Sequence, residues 1–315
     1  MLPLVRLALV LTATVAGAAS LGYYAAPRSQ RVFTSEPASL SLPRAIVQVA
    51  AADEEFLPEA GWWWNPAEPG RGFILERSGD RLLVGALAYE ADGRASWSLA
   101  VGRTQCEREF GGTLVAYSGG QTLTGRHRKA VAAGNIGPIE LRFSSPARAI
   151  MVLPGGRTIA LERYRLGGTA PSSFQPEAGW WWNPAEPGRG FGIEVRGGAM
   201  LLTGAMYDEA GRPVWYVSHG PLTAGRTYQG RWLRLVGGTT LAGGYRPTED
   251  AVDAGAVAVR FTDATSAVLT LPDGRALPIG RADLASPRGV GAVAEVQPAK
   301  ACSGGAIRLA QAPPS

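Results

Sequence analysis

The residues of this chain best suited to chemistry come in pairs 118 positions apart. Glu68 and Glu186 each precede an arginine by three residues, Arg71 and Arg189. Both pairs sit inside the same fifteen-residue string, EAGWWWNPAEPGRGF, at residues 59–73 and 177–191. Glu76 and Glu194 follow at the same offset. Two carboxyl groups per unit define one possibility, glycoside hydrolysis, which needs its acids roughly 5–10 Å apart. Glu76, however, stands between apolar neighbours on an expected strand, where a carboxylate ordinarily points outward into solvent. The only histidines, His127 and His219, do not align. A Ser-His-Asp triad or a histidine–metal centre would therefore exist in one half at most. No metal site, cofactor or catalytic residue is assigned on this pattern.

The shared string does define a shape. Asn65 before Pro66 suits the first two positions of a type I turn, and Pro69-Gly70 suits the centre of a type II turn, whose second residue needs positive φ. Glu68 and Arg71 end up close enough to pair. That pair either closes the turn at the surface or receives a ligand. The three tryptophans add a constraint. On a strand, Trp62 and Trp64 point one way and Trp63 the other, so a sheet with one covered face buries only one of the two sets. The other set faces the sister repeat, packs under the loop, or lines a ligand groove. The candidate ligand-binding set is therefore Trp62, Trp63, Trp64, Asn65, Glu68 and Arg71, with Trp180, Trp181, Trp182, Asn183, Glu186 and Arg189 in the second copy. Tyr89, Tyr207, Trp97 and Trp215 read as core or barrel-mouth residues, and Trp232, which aligns with Leu114, as a packing position.

The elements that must carry these residues are short and extended. The offset of 118 needs no gap from residue 59 to about 161, so one unit is duplicated in tandem. Each unit reads as strands near 61–64, 73–77, 81–90, 95–101, 110–117, 138–143, 149–153 and 158–161, separated by Gly- and Pro-bearing turns such as Ser78-Gly79-Asp80, Asp92-Gly93 and Pro154-Gly155-Gly156. Helical apolar spacing is absent. The fold class is all-β: two tandem repeats of about eight antiparallel strands each. Short consecutive hairpins favour an up-and-down barrel, with a two-sheet sandwich as the alternative.

The N-terminus reads as an export signal over residues 1–20: Arg6, then the apolar stretch 7–17, then Ala18-Ala19-Ser20. An uncleaved anchor is the rival. Residues 21–58 read as a linker, 59–166 as repeat one, 167–176 as a second linker, 177–285 as repeat two, and 286–315 as a flexible tail. The repeats are expected to fold as separate units. Cys106 and Cys302 fall outside the repeat pattern, and in an exported chain they form a disulfide candidate, with two free thiols as the alternative. The net charge of +5, from 31 basic and 26 acidic residues, is mostly scattered. Only Arg126-His127-Arg128-Lys129 clusters, and nothing points to nucleic acid.

The segments 206–215 (MYDEAGRPVW) and 260–263 (RFTD), together with the shared string, resemble exported proteobacterial proteins that carry tandem G-W-W-W-N-P-x-E-x-G-x-G β-domains. The likeness covers both repeats, and the first is the more divergent. It implies a β-rich exported module and carries over no catalytic residue. The resulting expectation is a periplasmic or secreted, non-catalytic binding or structural module, with a cell-envelope glycan or surface protein as partner. Membrane contact is expected only if the N-terminal segment stays uncleaved. The alternative is a glycan hydrolase using the duplicated glutamates.

Overall fold

The computed structural model describes residues 56–105, 108–167, 174–223 and 226–285, all within the compact unit Asp53–Ser315. The proposed signal, most of both linkers, the tail, Cys106 and Cys302 lie outside the described residues.

Sixteen strands form two closed antiparallel barrels of eight, each joined in chain order and closed by its first and last strands. The first barrel runs β1 (Gly61–Trp64), β2 (Gly72–Ser78), β3 (Arg81–Tyr89), β4 (Ala95–Gln105), β5 (Glu109–Ser118), β6 (Val131–Ser145), β7 (Arg148–Val152) and β8 (Thr158–Arg163). The second runs β9 (Gly179–Trp182), β10 (Gly190–Arg196), β11 (Ala199–Tyr207), β12 (Pro213–Thr223), β13 (Thr227–Val236), β14 (Asp250–Phe261), β15 (Ser266–Thr270) and β16 (Ala276–Arg281). The up-and-down barrel is therefore the architecture. Ser78 pairs directly with Arg81, so the expected three-residue loop there is one residue shorter.

Side-chain alternation fills the first barrel. Trp63, Phe73, Leu75, Leu82, Val84, Phe110, Leu114 and Met151 interdigitate inside it, as expected where eight strands leave room only for side chains. The outward set of the same strands is buried as well. Ile74, Leu83, Leu87, Tyr89, Trp97 and Leu99 pack into the cluster that holds Trp180, Met206, Tyr207 and Trp215 of the second barrel. This explains why β3 reads as a near-continuous apolar run, Leu82-Leu-Val-Gly-Ala-Leu-Ala-Tyr89. It is covered on both faces, by its own barrel and by the sister.

The seam between the barrels is reciprocal. Trp97 Nε1 donates to Met206 O at 2.8 Å, and Trp215 Nε1 donates to Ala88 O at 2.9 Å. Gly237 N donates to Gly93 O, as Gly119 N does to Gly211 O. The Tyr89–Trp215 and Trp97–Tyr207 ring pairs each have centroids 5.4 Å apart. Shifting any of these contacts by one repeat returns its mate, the pattern of a two-fold isologous interface built within one chain. Tyr89, Tyr207, Trp97 and Trp215 are therefore seam residues rather than barrel-mouth residues. The repeats each close their own sheet and share a buried surface. The linker ends are packed too: Phe174 lies against Phe261 and under the Arg226 guanidinium, 4.2 Å from its centroid.

Candidate functional site

The turn-rich loop takes the expected form. Glu68 N donates to Asn65 O at 3.1 Å, Ala67 N donates to Asn65 Oδ1 at 3.0 Å, and Gly70 has φ of 98°. Glu186, Ala185 and Asn183 repeat the pattern at the same distances. The ion pair also forms, Glu68 to Arg71 and Glu186 to Arg189 at 2.9 Å.

Its role differs from a surface turn closure. Arg71 is 4% exposed, and its Nη1 donates to three carbonyls of the sister repeat: Thr240, Leu241 and Gly243, at 2.8–3.1 Å. Arg189 Nη1 donates to Leu123 O at 3.0 Å. The carbonyls belong to two long arms, residues 119–130 between β5 and β6 and residues 237–249 between β13 and β14, each laid across the other barrel. Arg157 joins Glu68 on one side. On the other, Arg275 donates to Gly125 O at 2.9 Å and lies 3.8 Å from Glu186. Burial lowers the pKa of both Arg71 and Arg189, and Glu68 and Glu186 oppose that shift. Each Glu–Arg pair is thus a socket for the sister arm.

The second pair of acids corrects the sequence reading outright. Glu76 does not face solvent. It is 0% exposed, accepts Trp180 N at 2.8 Å, and pairs with Arg281 at 2.8 Å across the seam. Glu194 is 5% exposed, accepts Trp62 N at 3.4 Å, and pairs with Arg163 at 2.6 Å. The strand alternation that placed Glu76 outward was right; what covers that face is the other barrel. Burial raises both carboxyl pKa values, against the pull of Arg281 and Arg163. Glu76 has no exposed surface, whereas Glu194, paired with Arg163, borders the cleft described below.

The tryptophans divide as the alternation requires. Trp63 and Trp181 are 0% exposed inside their barrels, edge-on to Phe143 and Phe261 at 5.7 and 5.8 Å. Neither presents a face to a ligand, so the groove built on these two rings is withdrawn. Trp62 and Trp180 lie over Gly72 and Gly190, where a Cβ would collide with the indole. Trp182 is 8% exposed, whereas Trp64 keeps a half-buried ring, edge-on to Tyr164 with centroids 5.4 Å apart.

Tyr164 leads to a cleft with the form of a ligand site. The cleft, of about 350 Å³, opens where the end of β8 meets the start of the second repeat. Tyr164, Glu59, Arg163, Gln175 and Glu177 line it. Arg163 is held by Glu194 and donates to Trp62 O and Tyr164 O at 2.9 and 3.0 Å. Position 164 aligns with Ala282, which is buried, so the aromatic wall exists in the first repeat only. Sequence reasoning missed Arg157, Arg163, Arg275 and Arg281. The available signal was that each arginine recurs at the repeat offset. His127 and His219 are exposed and separate. Among the described residues no group of three His, Cys, Asp or Glu is placed to hold a metal ion. Comparison with known proteins finds no family model, no curated protein and no solved structure that matches the chain.

Proposed function

We propose that this chain is an exported, non-catalytic binding module whose ligand is a cell-envelope glycan held in the cleft beside Tyr164. The observation that carries this reading is the half-buried Tyr164, backed edge-on by Trp64, which lines a cleft with Glu59, Gln175 and Glu177. The cleft, of about 350 Å³, sets one aromatic ring among charged and amide side chains, and its volume falls in the range of small-ligand sites. An aromatic face covers the apolar side of a sugar ring while carboxylates and amides accept and donate to its hydroxyls. The duplicated glutamates serve the seam and the sockets, which leaves them no catalytic part in this reading. Export rests on the N-terminal pattern, and the mature chain is expected to begin within residues 20–24 by intact mass.

Titration with soluble envelope-glycan fragments, followed by calorimetry, tests the site. Tyr164→Ala is expected to weaken binding at least tenfold with little change in the melting temperature. Equal binding by the variant would sink the assignment. Release of reducing ends by the parent, lost in the Glu68→Gln/Glu186→Gln variant, would favour the hydrolase instead.

A further inference from the structure

The two arms are equivalent in the fold but not in charge. Residues 110–139, which span most of β5, the arm and the start of β6, carry Arg126, Arg128 and Lys129 and no acid, with Glu109 and Glu140 just outside them. The matching residues 228–257 carry three arginines and three acids, Glu249, Asp250 and Asp253. In that second stretch two of the three arginines are ion-paired: Arg231 with Asp253 at 2.5 Å between β13 and β14, and Arg246 with Glu249 at 3.3 Å in the arm. In the first, Arg126, His127, Arg128 and Lys129 are all exposed, and none has a side-chain partner among the described residues. The reciprocal seam imposes the same packing on both arms, so packing does not account for this difference.

The backbone beneath the cluster is fixed. Arg128 N donates to Gln121 Oε1 at 3.3 Å, Leu123 O accepts from Arg189, and Gly125 O accepts from Arg275. The four side chains therefore project from an anchored base. Immediately after them, residues 131–136 of β6 are exposed on both faces, with Val131 at 56% and Ile136 at 42%.

We propose that this arm docks the protein on an anionic lipid surface, cations toward the headgroups and Val131 and Ile136 toward the acyl boundary. Unpaired bases beside exposed aliphatic groups are the pattern of interfacial membrane binding. A single-stranded nucleic acid would instead call for exposed aromatic platforms. On this hairpin Tyr117 is half-buried and stacked on Trp97, with centroids 5.9 Å apart. This contact needs no N-terminal anchor and does not depend on the glycan reading.

Co-sedimentation of the full chain with phosphatidylcholine vesicles, with and without phosphatidylglycerol, is the test. The readout is the ratio of partitioning between the two, which cancels any contribution from the apolar N-terminal segment. The parent is expected to favour the anionic vesicles and to lose that preference in high salt. Arg126→Gln/Arg128→Gln/Lys129→Gln is expected to lower the ratio by roughly a hundredfold, with an unchanged melt. The same charge removed at exposed Arg148, Arg234 and Arg260 should leave the ratio within a few-fold of the parent. Equal loss in both variants would reduce the effect to net charge and overturn the proposal. So would the absence of any anionic preference, or retention on an anionic polysaccharide without retention on vesicles.

Discussion

Glu76 of the first barrel and Arg281 of the second meet at 2.8 Å across the seam, and Glu194 and Arg163 repeat the contact in the opposite direction at 2.6 Å. Each carboxylate also accepts the first tryptophan N–H of the other repeat. Removing one partner leaves an uncompensated buried charge. Glu76→Ala is expected to cost roughly 3–5 kcal/mol in chemical denaturation. Glu76→Ala combined with Arg281→Met should recover part of that loss. A double variant as unstable as the sum of its parts would show that the pair is not coupled.

The pH dependence follows from the raised carboxyl pKa values of Glu76 and Glu194. A folded-state pKa above the unfolded one means that folding takes up protons. The stability so conferred is complete below the ordinary glutamate value and is lost as pH rises through the folded value. The melting temperature is expected to fall over that window in the parent and to stay flatter in Glu76→Gln/Glu194→Gln. Identical slopes in the two proteins would remove these groups from the explanation.

Gly72 and Gly190 leave room for the indoles of Trp62 and Trp180. Neither has positive φ, so the requirement is space rather than backbone conformation. Gly190→Ala is expected to displace the Trp180 ring and to cost about 1–3 kcal/mol. Tryptophan emission should shift to the red as the seam opens. An unshifted spectrum at parental stability would contradict the packing.

Trp63→Ala and Trp181→Ala each open a barrel interior, at an expected cost of roughly 3–5 kcal/mol. The folded fraction of each variant should bind whatever the parent binds. Selective loss of binding at parental stability would return these rings to the ligand site.

Residues 177–285 expressed alone would expose Trp180, Tyr207 and Trp215. Because the seam is isologous, a second copy of the same repeat can supply the missing contacts. Light scattering is expected to report a folded dimer. A stable monomer would mean that the second barrel does not need the seam.

The barrels were legible because hairpin turns announce themselves locally: Asn65-Pro66, Pro69-Gly70 and Pro154-Gly155 act within a few residues. The sockets were half legible. Glu68 and Arg71 stood at the right spacing, but their targets, the carbonyls of Thr240, Leu241 and Gly243, carry no side-chain signature. Glu76 was misread for a similar reason. Alternation gives the face a residue points to, and it is silent on what covers that face. The unbroken apolar run of β3 was the available clue, since a strand with one wet face would have alternated. Tyr164 lay just past the aligned segment, where comparison of the repeats ends.

Joining the two barrels in one chain removes their pairing from mass action. A dimer of single repeats would come apart on dilution, whereas a tethered partner is presented at an effective concentration on the order of millimolar. Fusion also frees the halves from having to stay identical. In a homodimer every substitution appears twice, so a basic arm or an aromatic wall would be copied onto both subunits. Here Lys129 and Tyr164 each occur once, and a symmetric scaffold acquires a front and a back.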